Sequence, residues 1–352
     1  MKRFIDIPNP ATAEAILAIP LVEPERLFSD PAALHSEWRS LAAYWHPDRR
    51  AAESRATEVF QHLSALYEIA RSKAASGEWT TPGILRLTGI DGRRYDLRYR
   101  RQTRFELGDA YIGARLVAYA VDAADLDLFT SAVAVIGGLP FADPRMRGEM
   151  SGRLPSIKAT VATTGRNVLI LRKDPDAVAL SDLLHHLGGS LDARHVAWIV
   201  SGLESIACYL DWAGLMHGAI APETVFVSPR RHTVALLGGW WYAKPFGQAI
   251  KAIPERTARL MPPMMMRHRV AGSAIDLECI RQLAREALGD AAGSRLLHDR
   301  NVPKPFAQWL AHPPGLTALA DYRSWECARE AAFGRRKFTE LPVDPAAIYP
   351  TI

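Results

Sequence analysis

The chain has 352 residues, a formal net charge of +5, 48% hydrophobic and 23% charged residues. That is long enough for two folded domains and too apolar for a disordered or fibrous chain. The small positive excess is not gathered into the dense Lys/Arg tracts of a dedicated nucleic-acid binder, so charge alone names no partner. Cys208, Cys279 and Cys327 stand far apart without a C-x-x-C spacing, which argues against a disulfide framework or a cysteine zinc site and fits a reducing cytoplasm. The opening MKRFIDIPNP is broken by Asp6, Pro8 and Pro10 and reads as neither a targeting segment nor a membrane span, so no membrane partner is expected.

Between Asp30 and Trp45, Ala33, Leu34, Trp38, Leu41, Ala42 and Trp45 follow the i, i+3, i+4, i+7 spacing of an amphipathic helix. Asp30 is placed to cap it, Pro31 to open it, and Pro47 to end it, because the residue before a proline is pushed out of helical geometry. A second helix is predicted from about Ala52 to Ala75, with Val59, Phe60, Leu63, Leu66, Tyr67 and Ala70 as its apolar stripe and Gly77 as terminator. Two helices joined by a short loop pack antiparallel, and the loop here reads HPDRR.

A helix, His-Pro-Asp and a second helix resemble the J-domain of DnaJ-type co-chaperones over residues 12–77. The resemblance implies that His46, Pro47 and Asp48 engage a DnaK-type chaperone and stimulate its ATP hydrolysis, with Arg39 on the preceding helix and Arg49 and Arg50 after the loop as further contacts. Elementary chemistry agrees: proline fixes the backbone, and a loop tip leaves His46 and Asp48 free to bond with a partner. The family's docking helix is usually rich in Lys and Arg, whereas here Arg39 stands alone on it.

After Gly77, the segment from Trp79 to Gly83 reads as a linker, and TPGILRLTGIDGRRYDLRY alternates apolar and polar residues about Asp91-Gly92, a hairpin signature. Strands are predicted at Ala114–Val121, Leu128–Ile136, Ile157–Thr163 and Val168–Leu171. Helices follow at Ala193–Ala213, Ile275–Leu288 and Ala318–Ala332. Strands first and helices later imply an α+β domain of two lobes.

Within it, LMHGAIAPETVFV (residues 215–227) follows a long helix and precedes a strand-like run, and resembles the catalytic loop of protein kinases. That loop normally reads H-R-D-L-x-x-x-N. Aligning His217, Pro222 and Glu223 puts Ala219 at the catalytic Asp, Ala221 at the usual Lys and Thr224 at the magnesium-binding Asn. Gly238-Gly239-Trp240 stands where D-F-G belongs, so Gly238 replaces the second metal ligand. Gly108 and Gly113 are what remains of the Gly-rich loop. FTSAVAVI keeps an apolar V-A-I-K frame and puts Ala134 at the ATP-phosphate Lys. Asp276 matches a scaffold aspartate at the start of a long helix, and Trp240 and Trp241 are read as filling the nucleotide space. The resemblance therefore implies a pseudokinase with no catalytic residues, no metal and no cofactor, since phosphoryl transfer rests on the cations and metal ligands that are missing.

GRRYDLRYRRQTR (92–104) combines six arginines with two tyrosines, a pattern that suits nucleic acid but also a solvated strand face, on which Arg94, Asp96, Arg98 and Arg100 fall together. His185, His186 and His195 have no third donor at metal-ligand spacing and are expected on the surface. The methionines of LMPPMMMRHR suit a pliable partner surface or core packing.

The sequence thus predicts an α+β chain: a small all-helical J-like domain (1–77), a linker and basic hairpin (78–104), a kinase-like N-lobe (105–173), and a helical C-lobe with extension (174–352). It reads as a cytoplasmic J-domain adaptor that recruits a DnaK-type chaperone to an unidentified protein client. The alternatives are an atypical phosphotransferase or nucleotide-binding switch, and a basic structural protein associated with nucleic acid.

Overall fold

The computed structural model describes residues 12–50, 55–77, 79, 83–335 and 338–350. The opening MKRFIDIPNP, the predicted start of the second helix at Ala52, and Thr80, Thr81 and Pro82 of the expected linker lie outside the described residues. The chain divides into two compact units, Met1–Ala124 with Thr160–Leu169 and Thr351–Ile352, and Asp125–Ala159 with Ile170–Pro350.

In the first unit, α1 (Ala13–Leu17), α2 (Leu34–Tyr44) and α3 (Ala56–Ala75) pack through two apolar clusters. One contains Phe28, Leu34, Leu63 and Leu66, the other Ile16, Trp45 and Val59. Helices α2 and α3 run antiparallel: Trp38, early in α2, stacks on Tyr67 (centroids 4.6 Å apart), while His46, past its end, meets Phe60. The helix begins at Leu34 rather than Pro31, because Asp30 closes the turn before it. Its Oδ1 accepts the Ala32 N–H (2.7 Å) and its carbonyl the Ala33 N–H (3.0 Å), leaving Ala33 at the cap. Gly77 takes the left-handed φ of +69° after α3, the stop the sequence predicts.

Lys73 ties α3 to the 3-10 turn Pro24–Arg26. Its Nζ donates to both carboxylate oxygens of buried Glu25 (2.9 and 3.2 Å) and to the Val22 carbonyl (2.6 Å).

The hairpin predicted about Asp91-Gly92 is β1 (Ile84–Thr88) and β2 (Arg94–Arg98), antiparallel with Thr88 opposite Arg94. The next strands, β3 (Arg101–Phe105), β4 (Gly108–Ile112) and β5 (Leu116–Asp122), form an antiparallel meander. With β6 (Ile157–Ala162) and β7 (Arg166–Arg172), whose residues 160–162 and 166–169 belong to this unit, they make a sheet ordered β3-β4-β5-β7-β6. The arginine-rich stretch is therefore split between two sheets, with β2 in the hairpin and β3 at the edge of the meander.

In the second unit come α4 (Leu126–Gly137), α5 (Pro144–Met150), β8 (Val178–Ala179), α6 (Leu180–His186), α7 (Ala193–Trp212) and β9 (Leu215–Met216). They are followed by β10 (Val225–Ser228), β11 (Thr233–Leu236), β12 (Lys244–Pro245), α8 (Glu255–Arg259), α9 (Pro263–His268) and α10 (Ala274–Ala287), then α11 (Lys304–Ala311), α12 (Ala318–Phe333) and α13 (Pro345–Ile348). Helix α7 is the hub, in contact with α10, α12 and β11. A fully buried ion pair joins α10 to α12: Arg281 donates to both oxygens of Asp321 (2.6 and 2.7 Å) and lies over the Trp309 ring at 3.8 Å.

The strand predicted over Leu128–Ile136 is the helix α4. Thr130, Val133 and Val135 favour a strand one residue at a time, but Phe129, Ala132 and Ile136 bury one helical face at i, i+3, i+7, and the period prevails over propensity. Ala134 is therefore a helix residue. Among the described residues no helix is long and apolar enough to cross a membrane.

Truncating Lys73 to Ala removes the cation beside Glu25, and we expect a loss of about 3–5 kcal/mol in urea unfolding. The double replacement Glu25→Leu with Lys73→Met should recover most of it, because no buried charge then remains. A single variant within ~0.5 kcal/mol of wild type would show that the pair does not hold α3.

Candidate functional site

Two loops carry the residues that the sequence singles out, one in each unit. In the first unit, Trp45 ends α2, its N–H donating to the Leu41 carbonyl, and His46-Pro47-Asp48 forms a tight turn. The His46 carbonyl accepts the N–H groups of Arg49 (3.0 Å) and Arg50 (3.1 Å). The His46 ring sits edge-on to Phe60 (5.5 Å), and its Nδ1 accepts the Asp48 N–H at 3.3 Å, so the neutral ring carries its proton on Nε2. The histidine side chain is 46% exposed and that of Asp48 90%, and the two lie side by side, His46 Nδ1 3.7 Å from Asp48 Oδ2.

Arg39 and Arg49 are exposed, while Arg50 lies over the Tyr44 ring at 3.8 Å and near Trp45 at 5.0 Å. The supporting roles of Phe60, Tyr44 and Trp45 escaped the sequence reading. Their only signal is an aromatic within two residues of the loop and one at the facing turn of the next helix.

In the second unit, the loop between β9 and β10 hangs on Asp276 in the first turn of α10. Its two oxygens accept the N–H groups of His217 and Gly218, each at 2.7 Å. Gly218 bends back at φ +75°, the left-handed region that favours glycine. The His217 ring is clamped at both nitrogens: Nδ1 accepts the Ala219 N–H (3.2 Å) and Nε2–H donates to the Gly238 carbonyl (3.0 Å). Gly239 must be glycine, since it has φ +80° and a Cβ there would lie 2.8 Å from both Ala219 Cβ and His217 Cε1. Trp240 meets His217 edge to face at 4.9 Å and donates Nε1–H to the Leu236 carbonyl.

The remaining loop groups are bonded partly within the loop and partly from outside it. Thr224 Oγ1 donates toward the Ala219 (2.7 Å) and Ala221 (3.0 Å) carbonyls and accepts the Ala221 N–H, while its carbonyl takes the N–H groups of Leu237 and Gly238. The Pro222 carbonyl accepts from Ser181, and that of Ile220 accepts from Arg256, itself paired with Glu286 at 2.7 Å.

Burial pushes Asp276 up to about 7, with the His217 and Gly218 N–H groups pulling the other way. Burial pushes His217 down to about 3, against the pull of the Gly238 carbonyl. The loop thus brings together His217, Ala219, Ala221, Thr224 and Gly238, and no side chain among these five is left as a proton acceptor or cation.

Other singled-out residues fall elsewhere. Ala134 lies on α4, which packs on the 3-10 turn Trp240–Tyr242, instead of on a strand. The third strand of the five-stranded sheet is β5, Leu116–Asp122, and it holds no lysine. Gly108 and Gly113 serve the sheet. A Cβ on Gly108 would lie 1.9 Å from the Ala120 carbonyl oxygen, and one on Gly113 2.7 Å from that of Arg98. Arg104 is held by Asp109 (3.2 Å) and Asp122 (3.5 Å) and so is not a free phosphate contact. His195, expected at the surface, is buried on α7, with Trp198 Nε1–H donating to its Nδ1 at 3.4 Å. Met261 is buried and Met266 is 58% exposed, so the methionine run divides between core and surface. Among the described residues no three His, Cys, Asp or Glu converge as metal ligands.

No protein-family model matches the chain, and no curated protein matches it in sequence. Among solved structures it is similar to the crystal structure of the BubR1 kinase domain, with a TM-score of 0.48 and 11% identity over 69% of this chain and 82% of that one.

The two buried groups act oppositely on stability. A folded-state value of about 3 for His217, below its ordinary 6.5, gives stability that is present above pH 6.5 and lost as pH falls toward 3. A value of about 7 for Asp276, above its ordinary 3.8, gives stability that is present below pH 3.8 and lost as pH rises through 7. Asp276→Asn removes the second contribution alone. Its unfolding free energy should then rise with pH between 4.5 and 6.5 more steeply than that of wild type, by up to ~1.4 kcal/mol per pH unit. At pH 7 it should be lower by about 1–3 kcal/mol, because an amide NH₂ then faces a backbone N–H. Parallel pH profiles in urea titrations would contradict the assignment.

Proposed function

We propose that the chain is a J-domain co-chaperone whose second, protein-kinase-like domain binds a client or partner and does not catalyse phosphoryl transfer. The observation that carries the first half is the corner between α2 and α3. Two antiparallel helices share one core and present His46, Pro47 and Asp48 in a turn stiffened by backbone hydrogen bonds, with the imidazole and carboxylate tips open. A loop of that kind is suited to dock on a DnaK-type chaperone in the cytoplasm, with Arg39 and Arg49 as exposed cations nearby.

The second half rests on chain order and on the His217 loop. A five-stranded sheet with α4 inserted after its third strand in sequence, then α7, a loop anchored by a buried Asp276, the β10–β11 hairpin and α10 follow the order of a kinase domain. By the sequence alignment Ala219, Ala221, Thr224 and Gly238 fall at the polar positions of that template, and the His217 ring and the Thr224 hydroxyl are spent on hydrogen bonds to neighbouring backbone groups. Covalent fusion raises the chaperone's effective concentration at whatever the second domain holds.

His46→Gln and Asp48→Asn should each abolish stimulation of a DnaK-type ATPase by the full chain while shifting unfolding free energy by no more than ~0.5 kcal/mol, since both side chains lie in an exposed turn. Stimulation equal to wild type in both variants would remove the chaperone reading. Separately, the purified chain with Mg²⁺ and labelled ATP should transfer no phosphate to itself or to generic protein substrates above a heat-inactivated control. Transfer that survives repurification would remove the non-catalytic reading.

A further inference from the structure

The second unit contains a cavity of about 360 Å³, within the ~300–1,000 Å³ range of small-molecule sites. Its floor is one face of α7. Arg194, Trp198, Ser201, Gly202 and Ser205 line it, at the three- and four-residue steps that bring side chains onto one side of a helix. The walls come from Arg153, from His232 in the β10–β11 turn, from Arg329 and Phe333 of α12, and from Arg335 and Phe338 just beyond that helix.

Among the described residues, four arginines and no carboxylate line the cavity. Arg329 is paired with Glu326 (3.1 Å), but Arg153, Arg194 and Arg335 have no carboxylate partner among the described residues. Arg194 and Arg335 are exposed, Arg194 with its guanidinium over the Phe333 ring at 5.6 Å, and the planar fork of Arg suits phosphate oxygens.

Beside the cations stands an aromatic column. Trp198 stacks on His232 (4.6 Å, 6°), and His232 stacks on Phe338 (4.3 Å, 21°). Phe338 is 68% exposed, an unusual state for a phenylalanine and one that offers a further stacking face. His232 holds a left-handed φ of +50°, which a non-glycine residue adopts at a cost, and its Nε2 is buried without a hydrogen-bond partner among the described residues. Gly202 makes the arrangement possible. A Cβ there would lie 2.6 Å from Val234 Cγ2, so only glycine lets α7 approach β11 closely enough to set Trp198 against the turn.

We propose that this cavity binds a nucleoside phosphate, its base extending the Trp198–His232–Phe338 column and its phosphate held by Arg194 and Arg335. Base stacking on aromatic faces together with guanidinium–phosphate pairing is the chemistry by which proteins hold nucleotides, either free or at the end of a strand. The site depends on neither the chaperone reading nor the kinase alignment.

The test is calorimetric titration of the full chain with AMP, adenosine, inorganic phosphate and a short oligoadenylate. AMP should bind saturably and more tightly than adenosine or phosphate. Arg335→Ala and Phe338→Ala, both exposed replacements whose melting curves check folding, should each weaken it about tenfold. Arg145→Ala, 87% exposed on α5 and outside the cavity, should leave it unchanged. Oligoadenylate binding more tightly than AMP with the same dependence on Arg335 and Phe338 would support the site and identify a nucleic-acid strand as the source. The proposal is overturned by absence of saturable AMP binding at millimolar concentration, by phosphate binding as tightly as AMP, by indifference to both cavity variants, or by equal weakening in Arg145→Ala.

Discussion

The Asp276 carboxylate is the point from which the centre of the second unit is hung. One side chain in the first turn of α10 accepts the N–H groups of two successive residues, His217 and Gly218, and so fixes the loop leaving β9. Everything downstream is a consequence. With its backbone held, His217 reaches the Gly238 carbonyl, and Gly238 in turn donates to Thr224. Gly239 is left so close to Ala219 that only a glycine fits. Buried carboxylates are costly unless their lone pairs are used, and here two amide donors offset part of a cost that still holds Asp276 at about 7.

The two loops handle polarity in opposite ways, and the contrast separates scaffold from surface. At the His217 loop the imidazole, the Thr224 hydroxyl and the backbone groups around them are hydrogen-bonded to one another and to Asp276. At the His46 loop, hydrogen bonds stiffen the main chain but the tips of His46 and Asp48 face solvent. Exposed polar atoms on a preorganised turn lose little conformational freedom when a partner arrives, and that is the condition for a docking loop.

The arginine and aromatic cavity of the second unit arises by a third route. Its cations come from the turn after α5, from α7, and from α12 and the segment after it, residues separated by up to about half the chain. No local pattern collects them. They meet because Gly202 permits α7 to pack tightly on β11 and because α12 lies along the same helix.

The amphipathic period of α2 and α3, the Asp91-Gly92 hairpin, the strands β5 to β7 and the helices α7, α10 and α12 were legible in the sequence, because each is dictated by local steric preference and by burial of one face. So were His46 and Pro47 at a helix end and Asp276 as a scaffold residue. Other features needed the tertiary structure. Leu126–Gly137 became a helix because burial of Phe129, Ala132 and Ile136 outweighs the strand preference of its β-branched residues. His195 went inside because Trp198 and the β10–β11 turn cover it. Gly108 and Gly113 belong to strand contacts, since their missing Cβ atoms make room for backbone carbonyls from neighbouring chain segments. Sequence fixes what a few neighbouring residues prefer, whereas close approach between distant segments, which decides where a glycine is required and where charges gather, exists only once the chain has folded.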